Sequence, residues 1–373
     1  MIDKLPHNQC TGCNACVDIC PVQAIELETD IEGFWYPKVD KNKCTECEMC
    51  YNVCPVINIF ELKKNDFEKP KCFAAVHKNL EVRFDSTSGG LFSALAEKMY
   101  KEEGYVGGAI YNEDFSVKHI VTNDKKDINK LRSSKYLQSD TTDLFKEIKS
   151  LLSKNEKILV CGTPCQMAGL RNYIGKDSEN LIIVDFVCRG INSPKVFRKY
   201  LDSLEEKYNS KVVYIKAKSK ELGWRKLTTK FKFENGSTFF DTKDTSFFTK
   251  GYLHTNVYCR PSCYDCKFKE FPRIADITLA DFWGIEKIDK DLDNDLGTSM
   301  VLINSKKCEK YFEKIDSKIS FKEVPFETIL SGNPAIYKSL DKPKVNRKVF
   351  FQDMEQFSFF EVLHVYFSKH NIE

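Results

Sequence analysis

Two stretches before residue 56 share one cysteine spacing, and this repeat limits what the front of the chain can fold into. The stretches are Cys10-Thr-Gly-Cys13-Asn-Ala-Cys16-Val-Asp-Ile-Cys20-Pro21 and Cys44-Thr-Glu-Cys47-Glu-Met-Cys50-Tyr-Asn-Val-Cys54-Pro55. Proline fixes the backbone and withholds an amide donor, so each stretch ends at a turn. Eight thiols this close together indicate that the backbone here wraps around a group bound by sulfur.

The spacing is typical of bacterial-type ferredoxin domains, which bind two 4Fe–4S clusters. Three closely spaced thiolates bind one cluster, and the fourth cysteine of the run binds the other. We therefore predict cluster one on Cys10, Cys13, Cys16 and Cys54, and cluster two on Cys44, Cys47, Cys50 and Cys20. The alternatives are a disulfide knot, which suits secreted mini-proteins, and zinc, which usually takes two separated cysteine pairs.

Composition narrows the class of protein. The 373 residues suffice for two or three domains, and the content of 42% apolar and 30% charged residues is that of a soluble globular chain. The amino terminus lacks an apolar signal core, and no apolar run approaches the roughly 18 residues that span a bilayer, so we expect neither export nor a membrane span. Sixteen cysteines then indicate metal or redox chemistry in a reducing cytoplasm. No basic and aromatic stripe suggests nucleic acid.

Charge is distributed unevenly along the chain. Residues 1–62 carry four lysines against ten acidic residues, a net charge of −6, whereas the whole chain has +3 and the remainder therefore +9. An acidic front beside a basic body favours electrostatic docking, within the chain or with a partner.

We predict three segments: a two-cluster ferredoxin domain over residues 1–62, and a body whose first part is 71–155 and whose second part is 156–373. The charged stretch 61–70 is the expected linker. A strand–helix–strand unit over 157–188, with apolar strands, predicts a partly parallel sheet. The predicted fold class is therefore an α+β ferredoxin-like domain fused to a mixed α/β body.

Several helices are predicted from caps and periodicity. Ser86-Thr-Ser-Gly-Gly90 precedes an amphipathic helix from Leu91 to Glu103, and Ser193-Pro194 begins a long helix that ends near Tyr208. A last helix is predicted from Phe357 to Phe367. Its expected apolar stripe, either core or a docking surface, consists of Phe357, Phe360, His364 and Phe367.

Eight further cysteines lie in the body. Cys72 and Cys308 are isolated, and we expect buried, inert thiols. Thr163 and Pro164 predict a helix that starts just before Cys165, where free amides and the helix dipole favour thiolate. Cys188 follows the next parallel strand, so its sulfur and that of Cys165 are expected at the same edge of the sheet.

A tight cysteine group, Cys259-Arg-Pro-Ser-Cys263-Tyr-Asp-Cys266, comes later in the chain. Together Cys165, Cys188, Cys263 and Cys266 are predicted to bind a third 4Fe–4S cluster. The alternatives are a structural zinc on Cys259, Cys263 and Cys266, or a Cys161–Cys165 redox pair. Cys161 and Cys259 are the substitutes if one of the four is wrong.

A glycine-containing loop is the best candidate for binding phosphate. Thr87, Ser88, Gly89 and Gly90 at a helix start offer hydroxyls and free amides. Ser134, Lys135 and Tyr136 could add a cation and hydroxyls near a cofactor, although the segment reads equally as plain surface. No Gly-x-Gly-x-x-Gly and no Walker loop occurs, so neither a Rossmann dinucleotide site nor an NTPase is supported.

Taken together, the motifs resemble the coenzyme F-420 hydrogenase/dehydrogenase beta-subunit family over about residues 72–350. The matching segments are Ser86-Thr-Ser-Gly-Gly90, Ser134-Lys-Tyr136, Gly162-Thr-Pro-Cys-Gln166, Phe186-Val-Cys188-Arg-Gly190, Arg260-Pro-Ser-Cys263 with Cys266, and Ala280-Asp-Phe-Trp-Gly284. The resemblance implies FAD and an iron–sulfur cluster in the body. It adds Thr163 to the expected cofactor contacts and suggests that Lys135 stabilises charge on a reduced flavin.

The expected function is that of a cytoplasmic oxidoreductase. FAD would exchange hydride with F-420 or another small organic molecule, and the clusters would carry single electrons to an external ferredoxin or a redox partner protein. The alternative is a relay protein without a substrate of its own. A flavin-free body with structural zinc is the third possibility.

Overall fold

The computed structural model describes residues 2–370, with side chains as far as residue 368. Met1 and residues 371–373, which the predicted end segments include, lie outside the described residues. No helix in the described range is both long and apolar enough to cross a membrane.

Strands and helices are numbered in chain order. The strands are β1 (Ile25–Thr29), β2 (Trp35–Val39), β3 (Lys71–His77), β4 (Tyr105–Tyr111), β5 (Val117–Thr122), β6 (Ser139–Asp140), β7 (Ile158–Gly162), β8 (Leu181–Phe186), β9 (Val212–Ser219), β10 (Thr228–Phe233), β11 (Thr238–Asp241), β12 (Ile277–Asp281), β13 (Ser299–Ile303) and β14 (Ile319–Val324). The helices are α1 (Ala15–Ile19), α2 (Met49–Asn52), α3 (Leu80–Asp85), α4 (Leu91–Lys101), α5 (Ile128–Leu131), α6 (Leu144–Ser153), α7 (Pro164–Ile174), α8 (Pro194–Tyr208), α9 (Phe247–Lys250), α10 (Lys306–Glu313), α11 (Phe326–Gly332), α12 (Arg347–Gln356) and α13 (Phe359–His370).

A nine-stranded mixed sheet forms the centre of the body. Its order is β14-β3-β13-β12-β8-β7-β4-β5-β6, with β12, β8, β7 and β4 running parallel. Side chains of a strand alternate between the two faces. On β3, Phe73 and Ala75 therefore pack into one core, whereas Cys72 and Ala74 pack into another. The predicted partly parallel sheet is confirmed.

A second layer consists of the three-stranded sheet β11-β10-β9 and helices α8, α12 and α13. These elements share an aromatic core that includes Tyr200, Phe231 and Phe359. Ser193 caps α8 by accepting a hydrogen bond from the amide of Val196, and Pro194 occupies the first turn. The predicted range of this helix is confirmed.

The last helix was predicted in the wrong register. In α13 the buried side chains are Phe359, Val362, Leu363, Tyr366 and Phe367. Of the expected stripe, Phe357 precedes the helix and is half-exposed, and His364 faces outward. The packing of Phe359 against Tyr200 of α8, with ring centroids 4.9 Å apart, fixes this register.

At the front, β1 and β2 form a hairpin, and α1 and α2 lie within the two cysteine runs. Residues 61–70 contain neither helix nor strand. This linker is held on the body, because the amide of Asn65 donates to the Arg273 carbonyl oxygen at 2.9 Å and Leu62 packs against Phe268.

Candidate redox centres and cofactor cavity

The predicted ligands of cluster one lie against the body. Cys10 and Cys54 are buried, and Cys13 and Cys16 pack into the core that surrounds α6 and α7. Gly169 of α7 approaches Cys13 so closely that an added Cβ atom would lie 3.0 Å from its sulfur. Burial, and then the neighbouring thiol of Cys54, raise the pKa of Cys13, so the four thiols form one dry group.

The predicted ligands of cluster two lie at the surface. Cys47 is exposed, and Cys20, Cys44 and Cys50 are partly buried. Hydrogen bonds from the Met49 amide and then from the Thr45 hydroxyl lower the pKa of Cys47. The structure thus places the two groups on opposite sides of the ferredoxin-like segment, one facing the body and the other facing solvent.

The contact between this segment and the body is polar and specific. Asp18 accepts hydrogen bonds from the amides of Asp143 at 2.7 Å and Phe145 at 3.0 Å, and so caps the start of α6. The hydroxyl of Thr141 donates to the Cys13 carbonyl oxygen at 2.9 Å. Arg347 forms a two-pronged ion pair with Glu32.

The structure brings together the four cysteines predicted for the third cluster. Cys165, Cys188, Cys263 and Cys266 line one small cavity, together with Arg260, Lys269 and Arg273. Burial raises the pKa of Cys165 to about 11 and that of Cys188 to about 12. Four thiols facing three cations are a suitable donor set for an anionic iron–sulfur cluster.

The expectation that the helix start favours the Cys165 thiolate is wrong for the isolated thiol. Thr163 does cap α7, through a reciprocal pair of hydrogen bonds with Gln166, and its hydroxyl lies 3.2 Å from the Cys165 sulfur. Desolvation nevertheless outweighs these contacts in setting the pKa. Cys188 also lies beyond β8 rather than at its end, since the strand stops at Phe186.

The other cysteines lie elsewhere. Cys161 lines a separate, larger cavity, and Cys259 is fully buried, with its sulfur 3.5 Å from the Asn192 amide oxygen. Cys72 and Cys308 are buried, as predicted. All sixteen cysteines are free thiols. In the part of the chain that the structure describes, no three His, Cys, Asp or Glu side chains converge on a single point as the ligands of one metal ion do.

A cavity of about 720 Å³ lies beside the small one. Cys188, Arg189, Gly190, Ile191 and Ala335 line both cavities. Seven of the eight predicted cofactor contacts line the large cavity: Thr87, Ser88, Gly90, Ser134, Lys135, Tyr136 and Thr163. The start of α4 also faces it, through Leu91 and Phe92.

Gly89 is the exception, and its packing explains why glycine stands there. An added Cβ atom would lie 2.4 Å from the Ala75 carbonyl oxygen and 2.6 Å from the Ser299 amide nitrogen. Gly89 instead donates its amide to the Ser299 hydroxyl at 3.0 Å. The phosphate-binding role predicted for Gly89 therefore lacks support, because this residue anchors the loop to β3 and β13.

Lys135 lines the cavity, but main-chain oxygens hold its ammonium. The nitrogen donates to the carbonyls of Lys130, Leu131, Arg132 and Ser133 at distances of 2.7–3.2 Å. Burial lowers the pKa of Lys135 to about 7. The side chain thus caps the end of α5 as well as facing the cavity.

Sequence reasoning missed several residues of the large cavity. Lys218 forms a short ion pair with Asp281 and lies over the Trp283 ring, 5.0 Å from its centroid. His119 is buried there, its Nε2 lies 3.2 Å from the Cys161 carbonyl oxygen, and its Nδ1 has no hydrogen-bond partner among the described atoms. The Ala280–Gly284 motif signalled Asp281, whereas nothing local distinguished Lys218 from a surface lysine.

Comparison with known proteins agrees with this arrangement. Residues 155–328 match the family described as the C terminus of the beta subunit of coenzyme F420 hydrogenase/dehydrogenase, and residues 9–58 match the 4Fe-4S dicluster domain. The chain belongs to this beta-subunit family. The family resemblance that the motifs indicated is thereby confirmed, and the dicluster match agrees with the two cysteine runs.

Two relatives extend the comparison. The F-type subunit of the F(420)H(2) dehydrogenase of Methanosarcina mazei is 21% identical over 368 residues, which cover 96% of both chains. An uncharacterized protein of Methanocaldococcus jannaschii is 24% identical over 202 residues, covering 47% of this chain and 55% of that protein. A chain of the F420-reducing [NiFe] hydrogenase complex from Methanosarcina barkeri aligns over 82% of this chain and 95% of its own, with 18% identity and a TM-score of 0.47. A score of that size does not establish a shared fold.

Proposed function

We propose that this beta-subunit family member is a flavin-dependent iron–sulfur oxidoreductase, with FAD in the large cavity and a third 4Fe–4S cluster in the small one. One observation carries the proposal: the two cavities share the wall formed by Cys188 and Arg189. A ligand of the third cluster would therefore border the flavin. Electrons would then pass to cluster one, whose ligand Cys13 lies against α7, the helix that carries Cys165.

The lining of the large cavity suits a flavin dinucleotide. Five cationic side chains face it, against two carboxylates, and such an excess favours a diphosphate. The cations are Arg132, Lys135, Arg189, Lys218 and Lys338, and the carboxylates are Asp281 and Asp341. The free amides at the start of α4, with the hydroxyls of Thr87 and Ser88, are positioned to bind the phosphates.

Other residues would bind the ring system. Burial lowers the pKa of His119 to about 4, so its imidazole is neutral near pH 7. Its unpartnered Nδ1 can then bond to a polar ring atom, and Trp283 offers an aromatic face beside it in the cavity. When bound, FAD would supply the exchange between two-electron and one-electron chemistry.

The hydride partner is proposed from the relatives. One of them is named as part of an F(420)H(2) dehydrogenase, which supports F-420 or a similar small organic molecule as the substrate. That name also denotes one subunit of a larger enzyme, so we propose a redox partner protein or an external ferredoxin at the exposed cluster two. The rival function is a relay without a substrate of its own.

Cofactor content tests the proposal. Chain purified anaerobically and then acid-denatured is expected to release close to one FAD and about 12 iron atoms, as three 4Fe–4S clusters require. No flavin with the same iron content would favour the relay. About 8 iron atoms with zinc would place a structural metal in the small cavity and remove the third cluster.

Lys135→Ala tests the role predicted for that lysine. If its ammonium stabilises the reduced flavin, the variant keeps its iron but turns over more slowly with a hydride donor. Lys338→Ala is the matched control, because Lys338 also lines the cavity while its nearest ion-pair partner is Asp341, at 3.6 Å. Unchanged flavin content and turnover in Lys135→Ala would leave Lys135 only the capping of α5.

A further inference from the structure

Arg260 is the residue of the body that reaches deepest into the ferredoxin-like segment. Its side chain is 1% exposed. Its Nε donates to the Cys10 carbonyl oxygen at 2.9 Å, and one terminal nitrogen donates to the Trp35 carbonyl oxygen at 2.9 Å. That same nitrogen lies 3.7 Å from the Cys10 sulfur. The guanidinium therefore contacts a predicted ligand of cluster one through both its backbone and its sulfur.

The same side chain also lines the small cavity of Cys165, Cys188, Cys263 and Cys266. Arg260 comes just before the short helical turn that carries Cys263. It thus stands between the site predicted for the third cluster and the site predicted for cluster one. No carboxylate forms an ion pair with Arg260 in the described part of the chain, whereas the buried Arg273 pairs with Asp185.

The surroundings of the guanidinium are otherwise neutral. Gln138 accepts a hydrogen bond from it at 2.9 Å, and the rings of Tyr36 and Phe34 lie 4.3 and 5.4 Å from its central carbon. A buried charge without a counter-charge is costly. Thiolates at Cys10 and its neighbours are the negative charges within reach, and they are present only when the cluster is assembled.

We propose that Arg260 is a positioning residue that raises the reduction potential of cluster one, an inference that rests on the cluster assignments of the proposed function. Reduction adds one electron to the cluster and forms or breaks no covalent bond. A fixed positive charge in a dry site, with a hydrogen bond toward a ligand sulfur, favours the more negative, reduced state. The second run has no comparable group, because its Cys47 receives hydrogen bonds from a main-chain amide and a hydroxyl at the surface.

The test is a redox titration of the anaerobic, cluster-loaded full chain, monitored by electron paramagnetic resonance. Arg260→Gln is expected to lower the midpoint potential of cluster one and to leave that of cluster two unchanged. Arg260→Lys keeps the charge but loses the fork of hydrogen bonds, so a smaller decrease is expected. A Cys10→Ser chain identifies the signal of cluster one, because a changed ligand alters its spectrum.

Arg347→Gln is the matched control. Arg347 is a partly buried arginine that also joins the body to the ferredoxin-like segment, through Glu32, but it contacts no predicted cluster ligand. If Arg260 only holds the two parts together, both glutamine variants will shift the potential alike, and the inference is overturned. An unchanged potential in Arg260→Gln overturns it as well.

If Arg260→Gln fails to retain cluster one, Arg260→Lys decides, and an unchanged potential there rejects the inference. A wild-type chain that lacks cluster one would instead contradict the proposed function. The iron content and the wild-type spectrum therefore distinguish the two failures.

Discussion

The two cysteine runs have one spacing but two environments. The αL backbone conformation recurs at matching positions, with φ of 68° at Gly12 and 55° at Glu46, and 59° at Asn14 and 58° at Glu48. Beyond these, Ala15 is fully buried against the body, whereas its counterpart Met49 is 39% exposed. The cysteines thus determine how the backbone wraps, and the residues between them show which run faces the body.

Glycine at position 12 follows from contact rather than from conformation. An added Cβ atom there would lie 2.5 Å from the Gln138 side-chain nitrogen and 3.0 Å from the Arg260 guanidinium. At position 46 the chain accepts glutamate with the same backbone. This difference explains why one repeat became the inner side of the domain and the other the outer side.

Gly12→Glu is expected to have the largest effect. The side chain would add overpacking to the αL strain, together about 2–4 kcal/mol. The variant should lose the packing of the ferredoxin-like segment on the body, seen as rapid hydrogen exchange of β6 and α6. Equal protection in Gly12→Glu and wild type would break the comparison.

Asp18→Ala is expected to rank second. Removal of the carboxylate that caps α6 should cost about 1–2 kcal/mol. Its counterpart in the second run, Asn52, is exposed, and Asn52→Ala should change stability by less than about 0.5 kcal/mol. Hydrogen exchange of the first turn of α6 measures both, and similar protection in the two variants would contradict an inner and an outer run.

Glu46→Gly is expected to have the smallest effect and the opposite sign. Glycine adopts the αL conformation without the Cβ penalty, so the variant should gain up to about 1 kcal/mol. The midpoint of thermal unfolding of the anaerobic chain would rise slightly. A clear decrease would show that the Glu46 side chain makes a stabilising contact.

Sequence reasoning was most accurate where the signal is local. The cap at Ser193 and the apolar runs of β3, β7 and β8 predicted those elements to within a residue or two. The order of the nine-stranded sheet was beyond reach, because β3 pairs with β13 and β14, more than 220 residues later. The register of α13 failed because a shift of one residue still produces a plausible apolar stripe.

The site followed the same division. The four cysteines of the small cavity come from three separate segments, and shared sheet geometry was enough to group them. Arg260 and Lys218 were missed because a charged residue in an unplaced loop or strand reads as solvent-facing. Only the fold shows that Lys218 meets Asp281, and that Arg260 lies beneath Cys10.

The central claim is that cluster one lies inward and cluster two outward. The direct measurement is the spin relaxation of the reduced clusters with a soluble dysprosium complex added to the anaerobic chain, with the Cys47→Ser spectrum identifying cluster two. The account predicts strong relaxation enhancement for cluster two and little for cluster one. Equal enhancement, or a stronger effect on cluster one, would contradict it.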